Sequence, residues 1–333
     1  MNMHDIAKET GYSIATVSRA INNSGYVSPK TKEKIMKVIE EKGYSVNAFA
    51  KGMATSSMSL VGILCSDSRD LYQANCIYNL QKELRESGYT ALLVCTGLHH
   101  NDKQEAMRLL LSRNVDAVFL IGSHYIEARG KDNMYLREAA ARVPVILING
   151  LLEAPNVYSL LCDDRKGAED LTQLVLEKGS RKPIFLGRRM TYSARQKVTG
   201  FLDACKAAGL EPESEHSVII VDPEDDLHGD LKASLDRIKG FDALVCADDE
   251  LALAALKYCQ QRGLIVPEEV QITGYNNSSL SDLPATEITS YDNRIEYLCS
   301  SSVRCMKEVL AKKDYPAQSV HTGQLAAKKT TRH

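Results

Sequence analysis

The segment DIAKETGYSIATVSRAIN, residues 5–22, governs the reading of everything that follows it. It divides into two short helical patterns around a turn. Asn2 can cap the first, with Asp5 placing a carboxylate against the first-turn amides. Ile6 and Ala7 supply its apolar side, and Gly11 stands where the chain must leave the helix, a position that suits positive φ. Ser13 is a new N-cap, and in residues 14–22 the side chains of Val17 and Ile21 recur four apart on one face. A small residue at 7, a glycine four later and an aliphatic six beyond that is the spacing of a helix-turn-helix. Ala7 lets the helices approach, Gly11 turns the chain and Val17 fills the angle. The spacing alone also serves an ordinary helical hairpin. The outer face argues against one, because it carries Thr16, Ser18, Arg19 and Asn22 where a solvated helix usually shows Glu and Lys. Short hydroxyls, an amide and a guanidinium are groups that meet phosphates and base edges.

A third helix follows, with Ser28 at its N-cap, Pro29 in its first turn and Gly43 at its end. Ile35, Val38 and Ile39 form its apolar stripe and should close a small core against Ile6, Val17 and Ile21. Lys30, Lys32, Lys34 and Lys37 flank its start, serving either as a solvated face or as phosphate contacts. Residues 1–58 carry a net charge of +3 and the remainder −5. A basic head on an acidic body fits a small DNA-facing module. Such a head is barely large enough to fold alone. Residues 44–55, YSVNAFAKGMAT, offer about eight helical positions, too few to hold helicity in isolation, and Gly52 weakens them by roughly 1 kcal/mol.

From Leu60 onward strands and helices alternate. Continuous apolar runs at 60–65, 91–95, 116–121, 143–149, 183–187, 217–221, 242–247 and 270–275 read as strands covered on both faces. Helical patterns at 77–88, 102–113, 167–179, 195–209 and 249–263 are long enough for right-handed crossovers. The expectation is a doubly wound α/β body of two similar lobes, with ligands beyond the carboxyl ends of the strands. The N-terminus is polar, without a secretory leader, and no run approaches the ~18–20 apolar residues of a membrane span. A cytoplasmic protein is expected, with no membrane partner. The nine cysteines form no CxxC pair or His/Cys cluster. Cys65, Cys95 and Cys246 close apolar runs and read as reduced core residues. His99 and His100 adjoin in a polar loop without further ligands, so no metal site is expected, and no cofactor.

The stretch SIATVSRAINNSGYVSPKTKEKIMKVIEEKGYSVN, residues 13–47, closely resembles the opening of the LacI/GalR family of bacterial transcriptional regulators. Further matches lie at DDRKGAEDL (163–171), SARQKVTGF (193–201), ADDELALAAL (247–256), RGLIVPEEVQITGYNN (262–277) and LAAKKTT (325–331). The resemblance implies an α/β chain with an N-terminal helix-turn-helix head and a hinge helix, joined to a two-lobed doubly wound body resembling periplasmic binding proteins. It divides the chain into a head at 1–46, a hinge helix and linker at 47–58, and a body at 59–333. Lobe one would take about 59–160 and 291–319, and lobe two about 161–290 and 320–333. It also implies a sequence-specific repressor that binds a near-palindromic double-stranded operator as a homodimer, one recognition helix per major groove. Arg19 would contact guanine, while Ser13, Thr16, Ser18 and Asn22 hold phosphates. Ile14 and Ala15 are where relatives vary to set specificity. Further DNA contacts are implied for Asn2, His4, Tyr26, Tyr44, Asn47 and Ala50. Met53 stands where relatives press a leucine into the minor groove, and Val46 where many have proline.

Carried across one position at a time, the resemblance implies an effector pocket of Tyr72, Gln73, Asn149, Arg195, Asp248 and Asn276. Tyr72 would pack on the ligand, and the planar fork of Arg195 would bind hydroxyls or carboxylates. Asn149 and Asn276 replace usual carboxylates and remove two charge-assisted acceptors, while Asp248 adds one. These departures leave open a sugar, a modified or amine-bearing sugar, a non-sugar effector, or control by a protein coregulator. Two other classes compete. A transporter's solute-binding protein would account for the body but not the head. An enzyme would need a nucleophile or metal set, and no GxSxG, P-loop, HExxH or GxGxxG occurs.

Overall fold

The computed structural model describes residues 3–22, 25–42, 58–211, 217–221, 226–238 and 240–332, and divides into two compact units, residues 1–59 and 60–333. The first unit holds α1 (Met3–Thr10), α2 (Ile14–Asn22) and α3 (Pro29–Glu41). Gly11 turns the chain at φ +76°, a left-handed conformation that glycine adopts without the penalty of a Cβ. The Ser13 Oγ then accepts from the Thr16 amide at 3.1 Å, starting α2. The Ser28 Oγ does the same for the Thr31 amide at 3.2 Å, with Pro29 opening α3. Ile6, Val17 and Ile35 are fully buried, and Ala7 and Ala20 complete the core against Ile21, Val38 and Ile39. Lys34 is not a free phosphate contact. Its ammonium donates to the Thr10 carbonyl at 3.1 Å, at the open end of α1, and lies 5.5 Å from the Tyr12 ring centre. Asn2, Gly43 and residues 44–55 lie outside the described residues.

The second unit contains two six-stranded sheets. In chain order its strands are β1 (Leu60–Cys65), β2 (Thr90–Cys95), β3 (Ala117–Ile121), β4 (Val145–Ile148), β5 (Val157–Cys162), β6 (Pro183–Arg188), β7 (Val218–Val221), β8 (Ala243–Cys246), β9 (Gln271–Tyr275), β10 (Thr289–Asp292), β11 (Gln318–His321) and β12 (Gln324–Ala326). The first sheet runs β11-β5-β4-β3-β1-β2 and the second β12-β10-β9-β8-β6-β7. Pairing is parallel throughout except for β10 with β12. Helices α4 (Leu71–Glu86), α5 (His100–Ser112) and α6 (Met134–Ala140) cover the first sheet, joined by α11 (Ile295–Leu310). Helices α7 (Asp164–Glu177), α8 (Tyr192–Ala207), α9 (Leu227–Leu235) and α10 (Asp249–Arg262) belong to the second. The helices α7 and α8 meet so closely at Gly200 that a methyl group there would collide with the Arg165 carbonyl.

The chain passes between lobes after β5, after β10 and between β11 and β12. Strands β5, β10, β11 and β12 are not among the expected runs, β5 because Tyr158 and Ser159 break its apolar pattern. TSYD, QSVH and QLA are short and interrupted by polar residues, because each is tied to a crossing or an edge instead of lying in the middle of a sheet. Helix α4 begins at Leu71, six residues before the expected start, since the Asp70 carboxylate caps it through the Gln73 amide at 2.8 Å. Cys95 corrects an expectation: it is exposed on the edge strand β2, whereas Cys65 and Cys246 are buried.

Candidate functional site

In the head, burial sorts α2 into two sides. Val17 and Ala20 face the core, while Ser13, Ile14, Ala15 and Arg19 are exposed and Thr16 and Ser18 half-buried. Ser13 and Thr16 hydroxyls lie 2.9 Å apart, so both are tied to the helix start as well as to its outer surface. Ile14 is 39% exposed at the first turn, beside the exposed Ala15. Tyr26, 88% exposed, lies in the loop before α3, and His4 is exposed on α1. Asn22 closes α2. Asn2, Tyr44, Asn47, Ala50 and Met53 lie outside the described residues. The outer face of α2 therefore offers one guanidinium, small hydroxyls and two apolar groups, a set suited to base edges, phosphates and thymine methyls.

In the body, the carboxyl ends of both sheets open onto a cleft of about 860 Å³ between the lobes. Lobe one contributes the loops after β1, β2, β3 and β4, and lobe two those after β6, β8 and β9. Tyr72, Gln73, Asn149, Asp248 and Asn276 all line it. Several are already engaged by protein. Both ends of the Gln73 amide are held at Ser66, with its oxygen taking the backbone amide at 2.8 Å and its nitrogen donating to the hydroxyl at 2.9 Å. Asn149, at φ +58°, accepts from the Cys162 amide at 3.1 Å and donates to the Asp164 carboxylate at 3.0 Å. The Asn276 side chain accepts from Asn293 at 2.8 Å. Tyr72 packs against the core of lobe one, and burial raises its phenol well above the ordinary value.

Arg195 is the exception. It is exposed, stands outside the cleft lining, and donates its guanidinium to the Met190 carbonyl at 2.6 Å. Lys197 takes the place expected of it. Lys197 is 7% exposed in the cleft floor, and its ammonium donates to the Ala247 carbonyl at 2.9 Å and lies 3.9 Å from an Asp164 oxygen. The signal was helical periodicity. Ala194, Lys197, Phe201 and Ala204 share the buried side of α8, and residue 195 falls off that stripe.

Asp164 is the junction between the lobes. Besides Asn149 of lobe one, the same oxygen accepts from the Ser193 hydroxyl of lobe two at 2.6 Å. Nearer the mouth, the Arg188 guanidinium lies 3.2 Å from Asp248 and 2.5 Å from Glu250. Asp248 also caps α10 through the Leu251 amide at 2.8 Å. Burial raises the Asp70 and Asp249 carboxyls above their ordinary range. Burial, with Lys103 and Arg189 adding to it, lowers the His124 imidazole from 6.5 to about 4, so this cleft side chain is neutral at physiological pH. The arrangement suits a hydroxyl-rich or charged small molecule, with cations and carboxylates on both walls. Among the described residues no cluster of His, Cys, Asp and Glu is arranged to hold a metal, and no helix is long and apolar enough to cross a membrane.

Comparison with known proteins gives this geometry a family. Residues 2–47 match the model for bacterial regulatory proteins of the lacI family, and residues 172–331 that for a periplasmic binding protein-like domain. The chain is 39% identical over 331 residues to an HTH-type transcriptional regulator of Lachnoclostridium phytofermentans, covering 99% of both. It is 25% identical over 295 residues to catabolite control protein A of Priestia megaterium, covering 87% of this chain and 86% of that protein. The fold is shared with a lac repressor dimer bound to operator and an anti-inducer, at 19% identity, 99% coverage of each chain and a TM-score of 0.87. It is also shared with a transcriptional regulator CelR–cellobiose complex, at 24% identity, 99% coverage of each chain and a TM-score of 0.73. The chain belongs to the lacI family of bacterial regulatory proteins and is a DNA-binding transcriptional regulator.

Proposed function

We propose that this regulator is a cytoplasmic repressor that binds a near-palindromic operator as a homodimer and is controlled by a small effector in the interlobe cleft. The observation that carries the DNA half is the division of α2, with Val17 and Ala20 buried behind an exposed row of Ser13, Ile14, Ala15 and Arg19. Arg19 serves as the guanine contact, Ser13, Thr16, Ser18 and Asn22 hold phosphates, and Ile14 with Ala15 meets apolar base edges. Two heads related by a dimer axis would read two half-sites.

The effector half rests on the cleft. Lys197 and Arg188 of lobe two, and the neutral His124 of lobe one, surround a space large enough for a mono- or disaccharide. A sugar or sugar derivative fits this polar lining best, and one structural relative is a complex with cellobiose. Because Asp164 holds groups from both lobes, and Asn149, Ser193 and Lys197 around it line the cleft, a ligand touching those three would bias the angle between lobes. Control requires that the ligand bind one arrangement more tightly than the other. The engagement of Gln73, Asn149 and Asn276 by protein partners favours a second reading, in which a protein coregulator replaces the small effector.

A band-shift screen of genomic fragments, repeated with sugars, phosphosugars and nucleosides, tests both halves. The reading expects selective retention of a few fragments and a change in that retention with one ligand class. Retention of all fragments alike contradicts it. A thermal-shift screen in parallel separates a missing effector from a failed head, since a ligand of the folded body raises its apparent stability.

A further inference from the structure

Cys65 and Cys95 are paired in register as neighbours on parallel strands β1 and β2. Their sulfurs lie 3.3 Å apart. Neighbouring strands are separated by about 4.8 Å, inside the range of roughly 4.4–6.8 Å between Cα atoms that a disulfide spans. Closing the bond therefore asks for side-chain rotation and no movement of the sheet. Of the nine cysteines, all of them described, Cys95 alone is exposed. It sits at the end of the sheet's edge strand, open to reagents in solution.

The pair also stands at the base of two cleft loops. The Thr96 amide donates to the Cys65 carbonyl at 2.8 Å and the Gly97 amide to the Ser66 carbonyl at 2.9 Å. Ser66 and Asp67 on one side, and Gly97, Leu98 and His99 on the other, line the cleft. A covalent bond between residues 65 and 95 would join these loops where they leave the sheet.

We propose that Cys65 and Cys95 are a reactive dithiol, at which a low-molecular-weight disulfide oxidises the chain to an intramolecular disulfide that ties the two loops at the cleft mouth. The exposed Cys95 thiolate attacks one sulfur of the small disulfide, forming a mixed disulfide and releasing one small thiolate. Cys65 then gives up its proton to that thiolate and attacks the Cys95 sulfur, and the second small thiolate leaves and takes from solvent the proton that Cys95 had lost on ionising. Two protein thiols are oxidised and one small disulfide is reduced to two thiols. Burial, with the neighbouring Cys95 adding to it, pushes the Cys65 thiol up to about 12, which sets the order of attack.

The test incubates the full chain with oxidised glutathione, blocks remaining thiols with an alkylating agent and maps the peptides by mass spectrometry. The expected product has lost the mass of two hydrogen atoms and contains a linked pair of peptides holding Cys65 and Cys95. Cys95→Ser, a surface substitution whose melting should match wild type, yields no such product. Amide exchange at residues 66–70 and 97–99 slows in the oxidised protein and recovers on reduction. A stable glutathione adduct on Cys95 with Cys65 still alkylatable after denaturation overturns the proposal. So does a Cys95 link between two chains, a protein that does not react, or unchanged exchange in both loops.

Discussion

The Lys197 ammonium lies 3.7 Å from the centre of the Tyr275 ring. A cation over an aromatic face in a desolvated site gains about 2 kcal/mol or more. Here the gain adds to the hydrogen bond with the Ala247 carbonyl and the nearby Asp164 carboxylate. Lys197→Met keeps the aliphatic stem but leaves the Ala247 carbonyl without this donor and Asp164 without its cation. Denaturant unfolding should report a loss of about 1–3 kcal/mol. Arg195→Ala, on the exposed side of the same helix, should stay within about 0.5 kcal/mol of wild type. Equal losses from the two variants would contradict the division of α8 into a cleft side and an outer side.

His124 makes stability depend on pH in a stated direction. Its folded value of about 4 lies below the ordinary 6.5, so the unfolded chain binds the proton more readily between those values. Its contribution is fully present above about pH 6.5 and declines as pH falls toward 4, by on the order of 2–3 kcal/mol. His124→Gln should lose that part of the decline. The check is denaturant unfolding of both proteins at about pH 7 and about pH 5. Parallel curves would show that the imidazole is not held neutral by its surroundings.

The head rests on few buried side chains, so each one matters. Ile35→Ala removes a fully buried branched side chain from a core of five buried residues. Such a truncation costs about 2–5 kcal/mol, comparable with the whole stability of so small a unit. Calorimetry should show the head's transition lost while that of residues 60–333 is unchanged. Operator binding should fail with it. An intact head transition would mean that the three helices are supported by something beyond this core.

What the sequence makes legible follows from where each residue is buried. Most central strands are legible because LVGILC or AVFLI, covered on both faces, must be continuously apolar. The interior strand β5, VYSLLC, is missed, since Tyr158 and Ser159 interrupt its apolar run. The head was legible because Ala7, Gly11 and Val17 each answer a local steric demand. The joining strands β10, β11 and β12 were not, since their pairing depends on contacts made across the whole chain and leaves only short polar runs. In the cleft, identity by motif located Asn149 and Asp248 on its lining but not which side of α8 faces it. Asn149 and Asn276 also stand at positive φ, where asparagine is better tolerated than most residues. No motif shows that Cys65 and Cys95 touch, because register is a property of the pair.

The most direct test is the sequence preference of the Arg19→Ala protein, measured as the ratio of operator to random-duplex affinity across a salt series. Arg19 is exposed, so the variant should melt like wild type. Wild type should prefer its operator and lose affinity steeply as salt rises. The variant should lose about 1–3 kcal/mol of that preference, roughly five- to 150-fold, while still binding duplex DNA. A wild-type protein that holds every duplex equally, or a variant that keeps the full operator preference, would contradict the account.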